Sequence, residues 1–379
     1  MTTRASYDAI VLGAGGVGGA AMWQLARRGL HVLGLDRFAP PHDRGSSHGQ
    51  TRIIRQAYFE HPDYVPLLVE SYRLWAELER NAGRSLLLET GLVQVGRPDG
   101  VVVPRVLDAA HIHGLEVEYF TAAEICKRWP AFRVPDDLVG VFERRGGLLR
   151  VEDCVRAQLV AAKEAGAELR VGVDVFDWSD DGNAVQVETS AGRFTAARLV
   201  VTAGAWAGKL LAGLDLRLAV LRKTLMWHGT NDANVRAQAG FPCYLFELPT
   251  GVFYGFPAID ERGLKAGEHS GGDSVVDPLA VDRALRDDDR APVEAFLRSH
   301  LPSAELPCRE HAVCLYTMSP DEHFIVDRHP HHERVAFAAG LSGHGFKFAP
   351  VLGAALTDLT IHGATGLPIE FLSVRRFNS

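Results

Sequence analysis

The stretch that most constrains this chain is Tyr7 to Asp36, YDAIVLGAGGVGGAAMWQLARRGLHVLGLD. Tyr7 to Leu12 is a near-continuous apolar run, the signature of a parallel strand covered on both faces. Gly13, Gly15 and Gly18 follow as G-x-G-x-x-G where a strand would turn into a helix. In such a turn the first glycine permits the tight bend, the second lets backbone approach a pyrophosphate, and the third lets helix pack on strand. A second buried strand, His31 to Leu35, leads to Asp36, whose carboxylate suits the ribose of an adenine nucleotide and repels a 2′-phosphate. Strand, helix, second strand and acid in register predict an ADP-binding half. At this point FAD and NAD are equally open.

The rest of the chain must accommodate that half. Its 379 residues are comfortable for two domains, and 47% hydrophobic with 23% charged content is ordinary for a globular protein. A net charge of −7 without long basic runs argues against nucleic acid as a partner. No apolar run reaches the length of a membrane span, and the start leaves no room for a cleaved signal. The last four residues are not a peroxisomal address. Cys126, Cys154, Cys243, Cys308 and Cys314 are odd in number and lack C-x-x-C spacing. That excludes an obvious zinc site or disulfide framework, so no metal is expected and the compartment is read as the cytoplasm.

Further along, Arg37 to Tyr58 reads as a loop marked by Pro40, Pro41 and Gly45, with a helix beginning near Thr51. Arg44, His48, Arg52 and Arg55 crowd this loop at the carboxyl edge of a nucleotide fold, where ligands sit. An amphipathic helix is expected from about Asp63 to Arg80. Leu86 to Phe142 reads as short strands with one amphipathic helix, capped by Thr121 and Glu124. Val151 to Gly166 is a further helix. Glu168 to Trp178 and Ala184 to Thr189 are strands, and Arg198 to Trp206 is a buried strand ending in a glycine turn. Arg217 to Lys265 is strand-rich and aromatic, as for an antiparallel sheet facing a cavity. Helical segments follow near Val281 to Leu301.

The last segment carries a third buried strand, Val335 to Ala339, and a third glycine turn, LSGHGFKF, with Gly343 and Gly345. Lys347 falls at the start of the helix that this turn opens, where a cation opposes the helix dipole and therefore suggests a task. That lysine, the helix terminus and the upstream arginines make a strongly positive pocket. A reduced flavin gains negative charge near N1 and C2=O, whereas nicotinamide only loses its positive charge, so the pocket favours FAD. On composition alone Cys314 reads as a core cysteine and Lys265 as an exposed strand edge.

Six motifs spread over the chain are more specific: GAGGVG, RGSSHGQTRIIRQAY, YGFP, GLKAGEH, CLYTMSPDEHFIVD and GLSGHGFKF. Through them the chain resembles the monomeric sarcosine oxidase family, which includes N-methyltryptophan and pipecolate oxidases within the wider amino-acid-oxidase flavoproteins. The resemblance implies an α/β fold, α+β overall, with a Rossmann-like FAD-binding domain over 1–84, 148–215 and 311–379. A substrate domain with a mainly antiparallel sheet would take 85–147 and 216–310. It implies that Cys314 bonds FAD covalently through sulfur and that Lys265 activates oxygen. Arg55 and Lys347 would clamp a substrate carboxylate, a planar fork plus a point charge. His48 and Arg52 would lie near the flavin ring, Tyr254 and His269 would shape the substrate cavity, and His344 matches another active-site position.

The implied reaction oxidises a secondary amino acid as its free amine, hydrolyses the imine and reduces O2 to H2O2, in a monomer with small-molecule partners only. A carrier-linked dehydrogenase and a silent FAD-binding redox sensor are the alternatives. GSSHGQTR looks like the pipecolate type, SPDE and HSGG like the N-methyltryptophan type, and Phe59 replaces a glycine common in the sarcosine and N-methyltryptophan types. The substrate side chain stays open.

Overall fold

A computed structural model describes residues 7–377. Asn378 and Ser379, part of the segment read as no peroxisomal address, lie outside the described residues. The first sheet has a parallel core whose strands run, in space, Glu168–Val171, Val32–Asp36, Tyr7–Leu12, Gly192–Val201 and Val335–Ala339. Antiparallel strands Val175–Asp180, Val185–Thr189 and Ile325–Arg328 extend it. Helix Gly16–Ala26 is buried at every residue between helices Val151–Glu164 and Ala349–His362. Its glycines and alanines make that possible: a Cβ on Gly18 would lie 1.8 Å from the Gly13 carbonyl oxygen.

The second sheet is mainly antiparallel and runs Asp273–Ser274, Ala219–His228, Leu264–Glu268, Gly251–Phe256, Cys243–Leu248, Leu92–Gly96, Val139–Glu143, Glu118–Thr121. Its one face is apolar and packs on helix Asp287–His300 through Tyr244, Phe246, Phe253 and Phe296. Side chains alternate across a strand, so Lys265, Phe256, Tyr254, Leu245 and Gln94 stand on the opposite face, toward the nucleotide sheet. Strand Glu310–Met318 pairs along its length with Ala219–Trp227. It therefore belongs to this second sheet, although the sequence boundaries group residues from 311 onward with the nucleotide unit.

Three local expectations need correction. Thr51–Ile54 is a strand, not the start of a helix, and pairs with Gly147–Arg150. Its β-branched Thr51, Ile53 and Ile54 favour the pleated surface that a distant strand supplies. Glu168 to Trp178 is broken into two strands, Glu168–Val171 and Val175–Asp180, that join opposite edges of the first sheet. Val102–His113 is a second helix in a region read as having one. Its opening valines and Pro104 hide the helical period, and tertiary packing of Val102, Val103 and Val106 overrides propensity.

Candidate active site

A cavity of about 590 Å3 runs between the two sheets. Gly13, Gly15 and Asp36 line one end, and Arg52, Cys314, Gly343 and Gly345 the other. Gly13 has φ +86°, and a Cβ there would meet the Thr202 carbonyl oxygen at 2.7 Å, so this turn accepts only glycine. Asp36 accepts from the Ala14 amide at 2.8 Å and the Phe38 amide at 2.9 Å, which ties the glycine turn to the second strand. Each oxygen keeps a further lone pair for a ligand hydroxyl. Gly18 contributes packing rather than wall.

At the far end Cys314 is buried, and an Arg52 Nη2 donates to its sulfur at 3.1 Å. Burial alone would push this thiol up, but Arg52 and His48 together bring it down to about 6. A thiolate therefore exists at neutral pH. His48 is itself buried. Lys265 is not at an exposed edge: it is 1% exposed, in the middle of the second sheet. Its ammonium donates to the carbonyls of Gly49 (2.6 Å) and Thr51 (2.8 Å) and contacts Thr51 Oγ1 at 3.1 Å. Burial and then Arg52 hold its pKa well below the ordinary lysine value. Neither His48 nor Lys265 forms wall of the cavity; both stand behind Arg52 and the Gly49–Thr51 turn.

A second cavity, about 60 Å3, is lined by Arg52, Arg55, Phe59, Glu60, Leu245, Tyr254, His269, Tyr316, Gly343, His344 and Lys347. Arg52, Tyr316 and Gly343 are shared with the larger one, so the two meet there. Arg55 is 4% exposed and its Nη2 donates to both Glu60 oxygens, at 2.7 and 2.6 Å. Burial opposes the charge on Glu60, but Arg55, His344 and Lys347 hold its pKa down at about 2. Lys347 donates to the His344 carbonyl at 2.8 Å and lies within 3.4 Å of Tyr58 Oη. Burial and Arg55 push its pKa well below the usual value. Burial also lowers His269 to about 4 and His344 to about 3. Both imidazoles are neutral and weakly basic.

Comparison with known proteins decides the class. A family model described as FAD dependent oxidoreductase matches residues 8–359. The chain belongs to that family. It is 40% identical to a monomeric sarcosine oxidase of Streptomyces avermitilis, covering 98% of each chain. It is 37% identical to an N-methyl-L-tryptophan oxidase of Salmonella enteritidis, over 98% of this chain and 99% of the relative. Among solved structures, NikD, an unusual amino acid oxidase essential for nikkomycin biosynthesis, superposes with TM-score 0.86 at 26% identity, covering 98% of both chains. L-proline dehydrogenase from P. horikoshii shares the fold, with TM-score 0.85 at 22% identity over 99% of this chain and 98% of that one.

The cavity of this FAD-dependent oxidoreductase fits its cofactor on its own evidence. It joins a glycine turn and an acid to a thiolate and a second glycine turn. Trp206 Nε1 and Thr317 Oγ1, from two of its wall residues, are buried polar atoms without a partner among the described residues. Such atoms are rare unless a ligand or water satisfies them. Sequence reasoning missed Glu60, Tyr58 and Tyr316. Glu60 follows Arg55 by five residues, and Tyr316 follows Cys314 by two on one strand, hence on one face. Those spacings were the available signals.

Proposed function

We propose that this FAD-dependent oxidoreductase oxidises a small secondary amino acid of the N-methyl or cyclic type and uses O2 as acceptor. The observation that carries this reading is the convergence of Arg55 and Lys347 on the 60 Å3 cavity that meets the Cys314 end of the cofactor channel. When bound, FAD supplies the two-electron acceptor.

Arg55 offers the planar fork for a carboxylate, and an arriving carboxylate replaces Glu60 as its partner. Lys347 adds a second positive charge, which a substrate anion would restore against the burial that depresses it. The guanidinium is stacked on Tyr58 at 4.4 Å and Phe59 at 4.7 Å, so its plane is already oriented. His269 and His344 are too weakly basic at about 4 and 3 to take a proton from an ammonium at neutral pH. The substrate amine therefore enters neutral, and the residues orient it and exclude water rather than deprotonate it. Phe59 narrows the cavity, in keeping with a small or planar side chain.

Cys314 is the group that would hold FAD covalently, supported by its thiolate state beside Arg52. Lys265 is the group that would meet negative charge developing on oxygen, which would favour its protonated form against the burial that depresses it. The five cysteines are free and no helix of the described residues is long and apolar enough to cross a membrane. The printed name of the relatives, monomeric sarcosine oxidase, supports a monomer as the working form.

The test is peroxide release from a panel of sarcosine, N-methyl amino acids, L-pipecolate and L-proline. Turnover with an artificial dye but none with O2 removes the oxidase reading. Acid precipitation of the yellow protein tests the linkage: colour is expected in the pellet and in the Cys314 peptide, and colour in the supernatant refutes it.

A further inference from the structure

One buried side chain on the cavity face has no task in the proposed reaction. Gln94 is 0% exposed, yet neither its Nε2 nor its Oε1 has a hydrogen-bond partner among the described residues. It stands in a cross-strand row with Tyr254, Leu245 and Val141, because Leu245 pairs with both Tyr254 and Gln94, and Gln94 with Val141. Paired residues share a face, so Gln94 is on the side of the sheet that carries Tyr254 and Leu245 to the small cavity. Phe59, on the cavity wall, packs against the apolar cluster that contains Leu245 and Val141, the two residues on either side of Gln94. Ala57, Val103 and Val106 belong to the same apolar cluster, and the buried carboxyl group of Glu143, on the adjoining strand of this face, accepts from the Gln56 and Ala57 amides.

A carboxamide buried whole in an apolar setting is unfavourable unless something completes its bonds. Strands lie roughly 5 Å apart, so Gln94, which is not itself a wall residue of the small cavity, is one strand spacing beyond Leu245 and comes within reach of a short substrate side chain that displaces the Phe59 ring. We propose that Gln94 forms the far end of the substrate pocket and selects secondary amino acids whose side chain ends in a neutral hydrogen-bonding group, a carboxamide above all. A carboxamide matches the orphan donor and acceptor at once. An anionic group is disfavoured because the apolar side chains cannot solvate it and the buried Glu143 carboxyl lies on the same face. This rests on the reading that the enzyme oxidises secondary amino acids.

The test compares kcat/KM for N-methyl-L-asparagine and N-methyl-L-glutamine with that for N-methyl-L-leucine, which has nearly the shape of the asparagine compound but no hydrogen-bonding end. In the wild-type enzyme at least one amide substrate is expected to be favoured by roughly 10- to 100-fold. Gln94→Leu is expected to abolish or invert that ratio. If N-methyl-L-leucine matches or exceeds both amides in the wild type, or if the preference survives in Gln94→Leu, the proposal is wrong. The wild-type ratio decides alone should the variant fail to fold. Failure of all three compounds and of sarcosine, with O2 or dye, would instead refute the underlying reaction.

Discussion

The Arg55–Glu60 pair sets the resting state of the substrate pocket. Both oxygens of Glu60 accept from one nitrogen, in a site where Arg55 is 4% exposed. Removing the carboxylate leaves a buried guanidinium unpaired, a change that typically costs about 3 kcal/mol or more. A substrate-like carboxylate would repair that loss. Glu60→Gln is therefore expected to lower the Tm of the ligand-free enzyme and to show a larger upward Tm shift with a carboxylate inhibitor than the wild type. Equal shifts would mean that Glu60 does not compete for Arg55. The pH dependence has a definite sign. Glu60 is held at about 2, below its ordinary 4.5, so its contribution is complete above about pH 4.5 and disappears as pH falls toward 2.

Cys314 allows a second prediction of the same kind. With the thiol at about 6, attachment of added FAD to cofactor-free protein should accelerate as pH rises through that value. Arg52→Met, which removes the first of the lowering influences and leaves those of His48 and Lys265, should move the midpoint upward. An unchanged midpoint measured by colour retention after acid precipitation would rule out the thiolate account. These residues also show how far single positions are legible in sequence. The glycines and Asp36 announce themselves because their roles are local. Cys314 and Lys265 look ordinary on composition, since the charges that make them unusual arrive from a loop some two hundred residues or more away in the chain.

At the scale of elements, the turn Gly49–Gln50 joins the two sheets' chemistry. Glu152, in the first turn of helix Val151–Glu164, accepts from the Gly49 amide at 2.7 Å and the Gln50 amide at 3.1 Å. The same turn offers the Gly49 carbonyl to Lys265. Gln50 has φ +72°, an uncommon conformation for a residue with a side chain, and Trp227 and Asp260 hold that side chain at 2.7 and 2.6 Å. Glu152→Ala should cost about 1–3 kcal/mol of stability by leaving two amides unpaired. Because the turn positions Lys265, the variant should also lose turnover with O2 more than turnover with dye. A parallel loss in both assays would assign Glu152 a purely structural part. The strand Thr51–Ile54 that follows was unreadable as a strand, because four residues gain that geometry only from a partner at Gly147–Arg150. Helix Tyr64–Ala82, with its own amphipathic stripe, was readable within two residues at either end.

At the scale of the molecule, the cofactor channel lies between two sheets whose strands interleave along the chain. Stretches within 13–16, 36–47, 202–206, 314–317 and 340–346, together with Arg52, contribute to its wall. Their order in sequence says which family of fold to expect, but not that strand Glu310–Met318 joins the second sheet and so carries Cys314 across to the nucleotide side. A ligand that fills a channel of about 590 Å3 touches both sheets and stabilises them jointly. For a reversible ligand, that stabilisation grows with the logarithm of its free concentration, reaching about 2.7 kcal/mol at a hundredfold excess over Kd. A covalent ligand shows no such dependence, because it cannot leave when the chain unfolds. Cys314→Ser should thus turn a Tm that ignores added FAD into one that climbs with it, while the wild-type holoenzyme stays flat. If both proteins climb with the same slope, FAD is held without a bond to Cys314, and the thiolate beside Arg52 needs another explanation.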